Sequence, residues 1–486
     1  MRITWQFPIA VLLVAAVGSP IAGFYYDINS SPPRNDFFFG VTFGGNTTAE
    51  AKLLIDRVKG YTNLFVVDNW DVAMNETVLT GICDYAAKAQ LKIIVYFSFI
   101  FRNSSERASD LFEEAGVVPF HIPWLSTAEE RWGDKFLGAY VSDEPGGSQI
   151  DGGHYSGFTT SYSGRNHTTF EGVENYTDAA NRYVRGLSRT STSLLNDPSV
   201  SGSIPNSTGR SVPVFTADYA LYWFDYLAGY DAVFAELGWS HNQAEHIALC
   251  RGAANVQNKE WGAIITWAYN EPPFLASGKQ MLQDMKAAYY SGAKYLLVFN
   301  YPQVNSYGAL TEEHFAAMEA FWNQVHCFPR NSFNNLEGAV ALVLPKDYGW
   351  GMRRADDKIW GLWPSDDLSP VVGERIATLV NEYGSSLDII YDDTQFNYTE
   401  KYSKIYYWNS SIPLQFSPAP TLLSSYELYA TLLIAAVAIA IIQSLVPKLF
   451  QRLSNNTIWK RLLANHRGVS AFNLHLQKKR AKPSRL

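Results

Sequence analysis

The chain has 486 residues, 47% of them hydrophobic and 15% aromatic, enough apolar material for one large core with additions and too much for a disordered protein. Its net charge of −7 is unevenly spread: ten of the 39 Lys and Arg follow Pro447, where there is no Asp or Glu, so the preceding chain carries all 46 acids against the remaining 29 bases. An acidic body of that kind argues against nucleic acid as a partner.

Residues 1–23 start with Arg2, continue through an apolar stretch from Ile9 to Val17 and end in small residues, the layout of a secretory signal. Residues 24–336 then alternate between short apolar runs and helical periodicity. Eight runs read as strands: Phe37–Phe43, Asn63–Val67, Lys92–Phe99, Phe136–Val141, Val212–Ala217, Ala232–Glu236, Gly262–Trp267 and Tyr295–Asn300. Helices are expected at Thr48–Lys59, Glu76–Ala89, Tyr176–Leu187, His241–Val256, Gly278–Ser291 and Thr311–Val325. Eight strand-then-helix units over roughly 300 residues fit an α/β fold of the (β/α)8 TIM-barrel type. A doubly wound open sheet is the alternative, and Gly44-Gly45-Asn46 is a poor match for its phosphate-binding loop. Cys83, Cys250 and Cys327 would fall on the second, sixth and eighth helices, which are not neighbours around the ring, so free thiols are expected.

From 337 to 407 the pattern restarts as a small α/β domain, with strands at Ala339–Leu344 and Leu387–Tyr391 around a helix at Gly373–Tyr383. Residues 408–427 read as an extended stalk. Leu428–Val446 is uncharged throughout and about the length of a transmembrane helix. The basic segment 447–486 marks the cytoplasmic side by the positive-inside rule, which places the bulk of the chain outside the cell membrane. Glycosylation sequons at Asn29, Asn46, Asn75, Asn103, Asn166, Asn175, Asn206, Asn397 and Asn409 all precede the span and agree with an exported glycoprotein, while the Asn455 sequon in the tail should stay unmodified.

Barrel enzymes assemble their sites from the C-terminal ends of the strands, so the chemistry should lie there. The fourth strand ends in Ser142-Asp143-Glu144-Pro145-Gly146-Gly147, where Pro145 and the glycines are expected to turn the chain into a long loop overhanging the mouth, up to Glu174. The other ends are also polar. They supply Asp68 and Trp70 after the second strand, Asp218 and Tyr219 after the fifth, Glu236 and Trp239 at the sixth, Trp267, Asn270 and Glu271 at the seventh, and Asn300 and Tyr301 at the eighth. Carboxylates among Trp and Tyr suit a carbohydrate, whose faces stack on rings while its hydroxyls bond acids and amides. Glycoside cleavage needs two carboxyl groups across the scissile bond, one protonated and one ionised, roughly 5–5.5 Å apart in retaining enzymes. Glu144 and Glu271 are the expected pair, with Asp143 and Tyr140 beside Glu144 to raise its proton affinity. Asp68 and Asp218 are also readable as structural acids, Glu236 as the partner of a buried arginine, and Trp70, Trp223, Trp239 and Trp267 as core. His154 and His167 lack metal-ligand spacing, and no esterase elbow, zinc-protease or phosphate-loop motif occurs, so neither metal nor organic cofactor is expected.

On these residues the chain resembles the clan of retaining (β/α)8-barrel glycoside hydrolases whose acid/base follows strand four and whose nucleophile follows strand seven. Ala339-Val-Ala-Leu-Val-Leu-Pro345 is similar to the start of the appendage in some β-galactosidase-like families. The resemblance spans about 37–393 and implies that Glu144 is the acid/base and Glu271 the nucleophile. It departs at Asp143, where the clan carries the Asn that contacts the substrate 2-hydroxyl. Asn-Glu-Pro occurs instead at Asn270 to Pro272. The expected function is therefore a membrane-anchored extracellular glycoside hydrolase acting on oligo- or polysaccharide. The competing readings are a surface protein on the same scaffold that binds glycans without cutting them, and a transglycosylase.

Overall fold

The computed structural model describes residues 37–97, 121–153, 172–188, 212–330, 339–410 and 414–415. Eight parallel strands close into a barrel in sequence order: β1 Phe38–Phe43, β2 Leu64–Val67, β3 Lys92–Phe97, β4 Phe136–Val141, β5 Val214–Asp218, β6 Ala232–Leu237, β7 Glu260–Ile265 and β8 Tyr295–Val298, with β8 pairing back onto β1. Closure in this order excludes the open sheet. The expected strands all form, with ends displaced by at most a few residues, because each is an apolar run buried on both faces. Tyr140, Phe215, Phe234 and Tyr295 fill the inside of the barrel together with Leu64, Val66, Ile94, Ile264 and Leu297.

Outside the ring lie α1 Thr48–Val58, α2 Trp70–Ala73, α3 Glu76–Lys88, α4 His121–Trp132, α5 Pro145–Gly152, α6 Tyr176–Leu187, α7 Tyr222–Leu227, α8 Gln243–Gln257, α9 Gly278–Tyr290 and α10 Glu312–Cys327. Local chemistry fixes their starts. Thr47 and Glu50 form a reciprocal capping box on α1, and Asn69, Asn75, Asn175, Asn242 and Ser277 each accept from a backbone N–H of the helix that follows. Cys83, Cys250 and Cys327 are free.

Beyond the barrel, β9 Val340–Leu344, α11 Leu368–Tyr383, β10 Leu387–Tyr391, β11 Lys404–Tyr407 and β12 Leu414–Gln415 build a four-stranded sheet of order β10-β9-β11-β12. Pairing of β12 with β11 draws Leu414 and Gln415 into that sheet, where an extended stalk was expected. Barrel and sheet belong to one compact unit, Asn35–Pro418. Their seam is α8 against β10. The Arg251 guanidinium, 2% exposed, bonds Asp388 at 2.6 Å and the Leu387 carbonyl at 2.6 Å, while Asn255 and Tyr402 each donate to the second Asp388 oxygen at 2.9 Å. Gly252 lets the two backbones meet: a Cβ there would lie 2.5 Å from the Ile389 carbonyl oxygen.

No described helix is long and apolar enough to cross a membrane. The expected signal, 1–23, the expected span, 428–446, and the basic segment after it lie outside the described residues, as do His154, His167 and the sequons at Asn29, Asn103, Asn166 and Asn206. The sequons at Asn46, Asn75, Asn175, Asn397 and Asn409 are all exposed.

Candidate active site at the mouth of the barrel

The end of β4 turns sharply. Ser142 and Glu144 both hold left-handed backbone, φ 59° and 49°, a conformation that costs a residue with a Cβ of order 1–3 kcal/mol. Leu221, Trp239, Ser240 and Phe274, on the loops after β5, β6 and β7, share it. Strain is thus stored around the rim of the mouth. Pro145 does not send the chain into a loop as expected; it opens α5, since its fixed φ and missing N–H suit a first helical position. Gly146 and Gly147 serve close approach, because Cβ atoms there would meet the Ala220 carbonyl at 2.4 Å and the Tyr219 ring at 2.1 Å.

Asp218 holds this turn. Fully buried, it accepts backbone N–H bonds from Gly146 at 2.5 Å, Gly147 at 2.8 Å, Tyr219 at 2.7 Å and Ala220 at 3.0 Å. Burial raises its pKa to about 7 against those four bonds. Its expected contact with substrate gives way to a positioning role. Asn300 is corrected in the same way: with 0% exposure it accepts from Ala309 and Leu310, donates to the Tyr307 carbonyl and so shapes the loop after β8.

Glu144 and Glu236 meet carboxyl to carboxyl. Glu236 is 4% exposed and has no arginine beside it; its hydrogen bond is to Glu144. Burial first, and then the charges of Glu144 and Asp143, push Glu236 far above the usual carboxylate range. Burial likewise raises Glu144, helped by the Asp143 charge and opposed by the Glu236 bond, to about 8. Glu236 therefore keeps its proton and donates it, leaving the other oxygen of a protonated Glu144 free to act as an acid. Among the described residues the second Glu236 oxygen has no hydrogen-bond partner. Asp143 accepts from the Tyr140 hydroxyl, which lies 3% exposed in the barrel interior, and remains open to solvent through the mouth. Its neighbour Asp68 is raised to about 7 by burial and by the Asp143 charge. Among the described residues, none of Asp68, Asp143, Glu144, Asp218 and Glu236 has a Lys or Arg partner.

Glu144 opens into a cavity of about 670 Å³ whose wall also includes Asp151, Tyr219, Trp239, His241, Tyr269, Asn270, Glu271, Arg353 and Arg354. The structure thus brings the two expected carboxylates, Glu144 and Glu271, to one cavity, with Tyr219 and Asn270. Glu271 is exposed on the turn after β7, and among the described residues no hydrogen bond holds its side chain. Trp239 supplies a cavity wall. Trp267 is half-buried behind it, its ring stacked on Tyr301 at 6.3 Å and its indole nitrogen donating to the Tyr301 carbonyl at 2.6 Å. Trp223 is core, packed on Tyr391 and Phe396, whereas Trp70, 39% exposed, and Tyr301, 45% exposed, stand open on other parts of the rim.

Asp151, His241, Arg353 and Arg354 were not foreseen. Both arginines come from the segment between β9 and α11, beyond the barrel, and nothing in a short polar stretch signals where its chain will lie. Asp151 faces the cavity only because α5 begins at Pro145. Asp151 and Asp357 both bond the Arg353 guanidinium, at 2.7 and 3.0 Å, and Tyr219 donates to Asp151 at 2.8 Å. No group of three or more His, Cys, Asp or Glu suited to a metal occurs among the described residues.

No family model matches the chain, and no curated protein matches it by sequence. Among solved structures it is similar to a GH5_18 protein from Streptomyces cattleya, solved with GlcNAc, at 12% identity over 76% of this chain and 98% of that one, TM-score 0.45. Similar too are α-L-fucosidase isoenzyme 2 from Paenibacillus thiaminolyticus (13% identity, 76% and 59%, TM-score 0.43) and the endo-1,4-β-mannanase from Rhizomucor miehei (11%, 60% and 95%, TM-score 0.36). With each of these scores below 0.5, the barrel assignment rests on the closed strand order and the functional reading on the side chains at its mouth.

Proposed function

We propose that the protein is a glycoside hydrolase in which Glu144 protonates the leaving-group oxygen and Glu271 acts as nucleophile in a retaining reaction. The observation that carries this reading is a protonated Glu144, raised to about 8, opening into an aromatic-walled cavity that also holds Glu271. A leaving alkoxide needs its proton as the bond breaks, and an acid with a pKa near the working pH supplies it efficiently. Glu236 keeps Glu144 in place, Asp143 adds the negative field that favours its protonation, and Trp239 with Tyr269 offers faces for a sugar ring. The signal-like stretch at 1–23, the uncharged stretch at 428–446 and the sequons before it support a location for this activity on the outside of a cell membrane.

One observation favours the second reading, a glycan-binding protein that does not cut. Nucleophiles are usually fixed by neighbouring donors, and the Glu271 side chain has none among the described residues. Reducing-sugar release and binding, measured over a panel of oligosaccharides for the wild type, E144Q and E271Q, separates the two. Cleavage by the wild type that both variants lose supports the hydrolase with its pair. Loss with E144Q alone moves the nucleophile's role away from Glu271. Binding with no cleavage of any panel member overturns the hydrolase.

A further inference from the structure

The two neighbouring arginines in the cavity wall are in opposite electrostatic states. Arg353 is satisfied: Asp151 and Asp357 bind its guanidinium, which also lies 5.2 Å over the Tyr219 ring. Arg354 is exposed, lines the same cavity, and its guanidinium has no hydrogen bond, ion pair or ring partner among the described residues. Its backbone is nonetheless fixed, since the Arg353 and Arg354 N–H groups both donate to Asp357, at 2.7 and 3.2 Å, and Asp357 is 7% exposed. This is a free cation on an anchored turn. Its charge reaches into the site, for after burial the Arg353 and Arg354 charges are the leading causes that hold the His241 imidazole below its usual pKa.

Apart from Arg354, and from Arg353, which its two carboxylates neutralise, the charged groups described in the cavity wall are acids. Glu144, Asp151 and Glu271 line it, with Asp143 and Glu236 beside Glu144. Among the described lining groups Arg354 is the cation left without a partner, so a ligand bearing negative charge is oriented by placing that charge there. A planar guanidinium matches a carboxylate with two parallel hydrogen bonds.

We infer that the ligand of this cavity is an acidic glycan, with the carboxylate of a uronic acid paired to Arg354. The inference rests on the glycan reading of the cavity and gives it a substrate class. The test uses E144Q, to prevent turnover, with and without R354A or R354K, titrated with a panel of oligouronates, the same oligosaccharides after reduction of their carboxyl groups, and sulfated neutral oligosaccharides. The expected result is binding of an oligouronate that weakens about tenfold or more on carboxyl reduction or with R354A. R354K, which keeps the charge without the fork, should recover part of the loss, and thermal melts should match across the variants. Equal binding of reduced and unreduced glycans, preference for the sulfated ones, or indifference to R354A would overturn the substrate class while leaving a glycan site standing. Absence of binding to every glycan would overturn the glycan reading itself.

Discussion

Two places in this molecule bury carboxyl groups, and they treat them in opposite ways. At the seam between α8 and β10, Asp388 is fully enclosed and each oxygen is met by a donor, from Arg251 on one side and from Asn255 and Tyr402 on the other. At the barrel mouth, Glu144 and Glu236 have chiefly each other, Asp143 and Asp68 stand alongside, and among the described residues no Lys or Arg pairs with them. The seam satisfies its charge and gains cohesion. The mouth leaves Glu144 and Glu236 protonated, at a cost to stability, which is the pattern expected where a proton is to be handed to a substrate.

Removing each arrangement should have opposite consequences. E144Q should lower kcat/KM for glycoside cleavage by about 10²–10⁴-fold, read by initial rates, while its denaturation midpoint matches wild type near pH 4.5 and lies above it at neutral pH, because glutamine resembles the protonated acid without having to take up a proton on folding. D388A strands a buried guanidinium and should cost about 3–5 kcal/mol in urea unfolding, with little change in KM for the folded fraction. G252A forces a Cβ against the Ile389 carbonyl and should cost about 1–3 kcal/mol at the same seam. A wild-type midpoint for D388A, or a collapsed one for E144Q, would erase the contrast.

Stability should also depend on pH in a way that belongs to the mouth. Glu144 binds its proton more tightly folded, about 8, than at its ordinary value of 4.5, so between those values the native state holds more protons than the unfolded chain. Unfolding free energy should then fall as pH rises from about 4.5 to about 8, and E144Q should flatten the slope. A subtler change is expected of Glu236. Its hydrogen bond lowers the pKa of Glu144, so E236L should move the titration of Glu144 upward, whereas E236Q, whose amide still donates, should hold it near its wild-type position.

Much of this was legible in the chain because it was local. Phe136–Val141 reads as a buried strand from composition alone, and the polar residues after Val67, Val141 and Ile265 fall at strand ends once eight strands are counted. Pairings between distant acids were not legible: that Glu236 would meet Glu144 rather than a base follows from barrel geometry, in which β4 and β6 aim side chains at one mouth. Asp218 and Asn300 looked like ligand contacts because polar residues at strand ends look alike, and only the backbone N–H groups around them distinguish a turn-holding side chain from an open one. Arg353 and Arg354 were hidden for a third reason, since they arrive from beyond the barrel on a segment with no periodicity to place it.

The pH dependence of kcat/KM for glycoside cleavage, followed from pH 4 to 10 in wild type and E144Q, tests the central claim most directly. A basic limb near pH 8 in the wild type that disappears along with most of the rate in E144Q is the predicted result. An E144Q enzyme with the wild-type rate and the same basic limb would contradict the assignment of Glu144 as the acid.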